Sequence, residues 1–190
     1  MSELYIVTSD PQIEEHCIDK DLPHLLVEGE FLCGTDRCMA SVTQHNLKAD
    51  ILLNIQGDQP FLNPEGLVMM TQEFKTSGEV DICSLRSLAD CSAPDPDVVK
   101  VQIDENGFAE NFTREHPDSQ AYYHIGVYGF RARILKDLAK LRPSQRELSH
   151  SLEQLRWMDH DYRIKMVPVN HIPRSIDNQD QFKALEDHDC

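Results

Sequence analysis

Asp58 is the carboxylate in this chain best placed to do chemistry. It follows Ile51-Leu52-Leu53-Asn54-Ile55, a run with four aliphatic residues in five, and lies within Gln56-Gly57-Asp58-Gln59-Pro60. Such a run suits a strand buried on both faces of a parallel sheet. Gly57 lets the backbone turn tightly, and Pro60 stops the strand. Asp58 is therefore expected just past the carboxyl end of a central strand, where open α/β sheets place ligands. Two readings fit that position. The carboxylate is a Mg²⁺ ligand among oxygen-rich neighbours, or it caps the next helix. Sulfur offers less. The six cysteines, at 17, 33, 38, 83, 91 and 190, form no CxxC pair and no Cys/His ladder with zinc spacing.

The elements that must hold such a site alternate along the chain. Strands are expected at Leu4–Val7, Leu25–Val27, Ile51–Ile55 and Val80–Leu85, with helices from Pro11, from Gly34 to about His45, and from an Asn63-Pro64-Glu65 cap. The texture then changes. Val98–Ile103 and Phe108–Thr113 flank Asp104-Glu105-Asn106-Gly107, a hairpin turn in which Asn-Gly supplies positive φ. Strands at Tyr122–Phe130 and Arg163–Val169 follow, with helices at Ala132–Leu141, Ser149–Asp159 and Gln179–Glu186. The alternation predicts a single α/β domain over residues 1–190, Rossmann-like, with a mainly parallel sheet and a hairpin-bearing insertion at roughly 95–130.

Composition narrows the class. At 190 residues the chain can bury a real core. A formal charge of −15 argues against a nucleic-acid surface, which needs a basic footprint. It leaves room for a small anion held by local arginines, backbone amides and a metal ion. No apolar stretch is long enough for a signal peptide or a membrane span, so a cytoplasmic protein with reduced thiols is expected. The sequon Asn111-Phe112-Thr113 has no use without a secretory route.

Five separated segments, in order, carry a resemblance: Cys33-Gly34-Thr35-Asp36-Arg37, Gln56-Gly57-Asp58-Gln59-Pro60, Asp97-Val98-Val99-Lys100, His124-Ile125-Gly126-Val127-Tyr128-Gly129-Phe130 and Leu152-Glu153-Gln154-Leu155-Arg156. Together they resemble the 3-deoxy-manno-octulosonate (Kdo) cytidylyltransferases, from Leu4 to about Leu185. The resemblance implies attack of the anomeric hydroxyl of an acidic eight-carbon sugar on the α-phosphate of CTP, giving CMP-sugar and pyrophosphate for lipopolysaccharide synthesis. It implies Mg²⁺ held by Asp58 and by Asp177, the latter in Ile176-Asp177-Asn178-Gln179-Asp180-Gln181-Phe182, an imperfect match to the family's later motif. Asp177 read alone is equally a helix N-cap.

The same resemblance assigns a sugar pocket to Gln56, His124, Tyr128, Glu153, Gln154 and Arg156, with Arg114 for an anionic group. His124 and Tyr128 fall on one strand face, so both can point into one cleft. Gly34, Thr35 and Arg37 are implied at the cytosine nucleotide, where Cys33 replaces the family's serine and leaves a weak thiol donor. A homodimer is also implied. One departure stands out: the family's first strand and its P-A-R-x-x-S-x-R-x-P-x-K loop, which grips the triphosphate, have no counterpart before Leu4. A strand-plus-helix unit on the order of 30 residues is expected to be missing. The alternative expectation is thus a catalytically impaired or non-catalytic relative binding sugar or metal. A cytidylyltransferase for 8-amino-Kdo or a nonulosonic acid is a further one.

Overall fold

The structure, a computed structural model, describes residues 3–91, 98–115, 117, 119–170, 172–173, 175–176 and 182–183. The chain divides into two units, one running to Asp50 and including Ala132–Leu141, the other holding Ile51–Arg131 and the residues from Arg142 onward.

In the first unit β1 (Ile6–Thr8) pairs in parallel with β2 (His24–Leu26) through α1 (Pro11–Asp19). Asp10 caps α1 by accepting the Gln12 N–H at 2.8 Å. Pro11 occupies the first turn, where its missing N–H costs nothing. After β2 comes α2 (Gly34–Gln44), whose last residue pins it back: the Gln44 amide donates to the Glu28 carbonyl at 2.7 Å and accepts its N–H at 2.9 Å. A third helix, α3 (Ala132–Leu138 in space, though late in the chain), joins this unit when the Ala132 N–H donates to the Asp50 carbonyl.

The second unit is built on six strands: β3 (Ile51–Ile55), β4 (Ile82–Asp90), β5 (Lys100–Ile103), β6 (Ala109–Thr113), β7 (Tyr122–Arg131) and β8 (Ile164–Val169). Their order is β6-β5-β7-β4-β8, with β3 also on β7. β7 is the hub. β4 runs along one edge, while β5 at its start and β3 at its end share the other.

The expected mainly parallel sheet is corrected here. Only β1–β2 and β4–β8 pair in parallel among the described ladders; β7 is antiparallel to β3, β4 and β5. The Ile51 run is also not the doubly buried central strand expected. Among the described ladders β3 pairs only with β7; Ile51, Leu52 and Leu53 are half-buried, Ile55 is exposed, and Asn54 is the buried residue. An aliphatic run reports neither strand direction nor how many neighbours it has. The hairpin is joined to the sheet, since β5 pairs with β7. Its turn uses Gly107 at φ 76°, with the Asp104 carboxylate accepting the Asn106 and Phe108 N–H groups at 2.9 and 2.8 Å.

A helix at Pro64–Thr76, α4, covers β4 and β7 and builds the core. Met70 and Phe74 pack with Cys83, Leu85, Ile125, Val127 and Val167, all nearly excluded from water. Each such aliphatic side chain contributes about 1.5–3 kcal/mol on burial. Gly129 in β7 makes the approach possible: a Cβ there would stand 2.7 Å from the Phe74 ring. Arg131 then fastens the helix end, donating to the carbonyls of Phe74, Ser77 and Val80.

The helix expected at Ser149–Asp159 is two helices, α5 (Gln145–His150) and α6 (Gln154–Asp159). A capping box between Ser144 and Glu147 starts α5 early, and Ser151 at φ 53° ends it. The Gln179–Glu186 helix lies mostly outside the described residues.

Candidate functional site

The turn after β3 sets the frame. The Gln59 N–H donates to the Gln56 carbonyl at 3.2 Å, so the chain turns as Gly57 and Pro60 predict. Asp58 is half-buried in that turn. Its cap reading does not hold: α4 is capped by Asn63, whose side chain accepts the Glu65 N–H at 2.9 Å. Asp58 is instead tied by its main chain, because its carbonyl accepts the Ile176 N–H at 2.9 Å. Asp177 itself lies outside the described residues, but the residue before it is thus bonded to Asp58.

Gln56 reaches across to α6. Its Nε2 donates to the Glu153 carboxylate at 3.2 Å, joining two segments far apart in sequence. Gly126 of β7 lies beneath it, since a Cβ there would be 3.8 Å from Gln56 Nε2. Gln59 adds a buried Oε1 with no hydrogen bond among the described residues.

His124 and Tyr128 share a face of β7, as their spacing predicts, with ring centroids 5.6 Å apart. His124 Nε2 is 2.9 Å from the Ser84 hydroxyl, and its ring meets the Phe112 ring edge-on at 5.0 Å. Burial pushes the imidazole down to about 3, so it is neutral at physiological pH. Tyr128 is buried. Its hydroxyl donates to Gln154 Oε1 at 3.0 Å, and its ring packs against Trp157 at 4.9 Å. Gln154 Nε2 is buried with no hydrogen bond among the described residues.

Arg156 is buried in an ion pair. Its Nε and Nη2 donate to the two Glu147 carboxylate oxygens at 2.7 and 2.5 Å, in an ion pair almost wholly excluded from water. A guanidinium engaged in this fork locks α6 to α5. Arg114 is exposed just after β6, and the buried Lys100 ammonium donates to its carbonyl at 2.8 Å.

In the first unit Gly34, Thr35 and Arg37 form the start of α2. Thr35 is fully buried, and Arg37 Nε is buried without a hydrogen bond among the described residues. Cys33 stands at the N-cap and makes no side-chain cap bond, as a thiol in place of a hydroxyl would leave it.

Two residues that matter here, Glu147 and Ser84, were not singled out from sequence. Glu147 could have been found, because Ser144-x-x-Glu147 is a capping-box pattern. Ser84 is one of four polar residues of β4, beside Arg86, Ser87 and Asp90, so nothing in the run marks it out. Among the described residues no three His, Cys, Asp or Glu side chains gather as a metal centre. Mg²⁺ nevertheless suits a site with one or two carboxylates, because it keeps waters and substrate phosphates as its other ligands. Asp58 fits that donor set.

The fold is that of a mixed α/β protein in which the turn after β3 is hydrogen-bonded, through Gln56, to Glu153 at the start of α6. The chain belongs to the cytidylyltransferase family, whose model matches residues 1–166. It is 31% identical to the 3-deoxy-manno-octulosonate cytidylyltransferase of Lawsonia intracellularis, over 95% of this chain and 75% of that protein. The enzyme of the same name from Porphyromonas gingivalis is 31% identical, over 95% of this chain and 78% of that one. Among solved structures, CMP:2-keto-3-deoxy-manno-octonic acid synthetase complexed with CTP matches with a TM-score of 0.86 at 25% identity, covering 100% of this chain and 83% of that one. No helix among the described residues is long and apolar enough to cross a membrane.

Proposed function

We propose that this protein transfers CMP from CTP to the anomeric hydroxyl of Kdo. The sugar oxygen bonds to the α-phosphorus, the bond to the β-phosphate bridging oxygen breaks, and pyrophosphate leaves. The observation that carries the reading is the Gln56–Glu153 hydrogen bond, which brings the Asp58 turn and the start of α6 to one place. Around it stand the neutral His124 and the Gln154 amide, polar groups suited to sugar hydroxyls. Arg114 is the cation for the sugar carboxylate, whereas Arg156 acts by holding α6 in register. Gly34, Thr35 and Arg37 meet the cytosine nucleotide.

Asp58, with Asp177, would hold Mg²⁺, which when bound neutralises charge between two anionic substrates. The chain's own residues then do mostly positioning. Pyrophosphate release by the purified 190-residue chain, with CTP, Mg²⁺ and Kdo supplied singly and together, tests the reading. Release that needs all three supports it. A folded chain that releases none under any combination overturns it for this chain.

A further inference from the structure

Ser84 lies in the middle of β4, wholly excluded from water, and sits where the β4–β7 ladder slips. Ser84 pairs with Tyr128, but the next residue, Leu85, pairs with Ile125, so β7 has extra residues between these two pairs. Such an irregularity frees main-chain carbonyls from the ladder. The Ser84 hydroxyl meets two of them: it is 2.8 Å from the Val127 carbonyl and 3.4 Å from that of Ile125. The same oxygen is 2.9 Å from His124 Nε2.

The hydroxyl has one proton, and a carbonyl can only accept. With the proton directed to Val127, the hydroxyl can meet His124 only as an acceptor. Nε2 must then carry the ring hydrogen, and Nδ1 must keep its lone pair. Nδ1 makes no hydrogen bond among the described residues, and the ring is flanked by Phe112 and Tyr128. His124 is only partly buried, so a ligand can reach it.

We propose that Ser84 is a positioning residue that fixes His124 as the Nε2–H tautomer, so that the site offers Nδ1 as a neutral acceptor to a sugar hydroxyl. The proposal rests on the sugar-binding reading of His124 above and adds the residue that sets its chemistry. A lone pair at Nδ1 disfavours a carboxylate, so the sugar's carboxylate must be met elsewhere and His124 reads a hydroxyl. Discrimination follows, because an analogue lacking that hydroxyl would leave a desolvated acceptor unmet.

The test is nitrogen-15 NMR of the whole chain labelled at histidine, with His124 assigned by the loss of its signals in His124→Gln. Expected is a protonated Nε2 and an unprotonated Nδ1 in the ligand-free protein. Ser84→Ala is expected to abolish that preference and to raise KM for Kdo about tenfold while KM for CTP stays unchanged. Ser84→Thr, which keeps the hydroxyl, should restore both. A wild-type His124 protonated at Nδ1 overturns the proposal whether or not the Ser84 variants fold. So does a Ser84→Ala protein with unchanged tautomer and unchanged KM for Kdo. Failure of the functional reading looks different: no turnover with Kdo, whatever the tautomer.

Discussion

The Asp58 main chain is held by the turn from Gln56 and by the Ile176 N–H, and asparagine keeps the shape of the aspartate side chain while removing its charge. Asp58→Asn should therefore leave the circular dichroism spectrum unchanged while pyrophosphate release falls at least about a hundredfold, the scale of removing one charge-stabilising group. Retained activity would take Asp58 out of the mechanism. His124 gives a second expectation. Its folded-state pKa, about 3, lies below the value near 6.5 of an unfolded histidine. Below about 6.5 the unfolded chain binds a proton that the folded one refuses, so this group removes stability progressively as pH falls toward 3. His124→Gln should flatten that slope in urea titrations between pH 7 and 5; an unchanged slope would mean that the imidazole is not desolvated. At this scale sequence spoke well where residue type sets a local turn, as at Gly57 and Gly107. It spoke poorly where a partner decides the role. Arg156 is a plausible anion ligand until Glu147 is seen beside it, and Ser84 is one of four polar residues in β4 until the His124 ring is found within hydrogen-bond distance of it.

The α5–α6 pair shows what an element contributes beyond its residues. Ser151, in the left-handed region, ends the first helix and lets the second leave in a new direction, while the Glu147–Arg156 fork holds the two together. That geometry carries Glu153 and Gln154 to Gln56 and Tyr128. Removing one partner of a buried pair leaves a charge without compensation, so Glu147→Ala should cost about 3–5 kcal/mol in chemical denaturation. The double variant Glu147→Met with Arg156→Met should recover most of that loss; if it does not, the pair matters for more than mutual compensation. Apolar periodicity located these helices but merged them, because Leu152, Leu155 and Trp157 keep a helical spacing past Ser151. The break is a matter of φ at a serine, which side-chain patterning does not report. Strand positions, by contrast, were legible nearly throughout, while the direction of β7 was not.

For the whole molecule, the formal charge of −15 leaves acidic side chains well in excess of basic ones. Self-repulsion of that size opposes the compact state and is screened by salt. The urea midpoint should therefore rise as sodium chloride goes from about 0.02 to 0.3 M, across which the Debye length shortens severalfold. A midpoint that falls would indicate that attractive pairs outweigh the net charge. The α/β class was legible from alternation alone, yet the division into two units was not, because α3 returns to the first unit from late in the chain. The parallel ladder of β8 on β4 has one more consequence, for biosynthesis. Ile82, Cys83 and Leu85 are completed on one edge by a strand that begins only at Ile164. Because a nascent chain emerges amino terminus first, every copy spends the making of some eighty residues with that apolar edge open. A ribosome stalled in this interval displays a template for strand addition, and the burden of keeping it from aggregating falls on chaperones until β8 arrives.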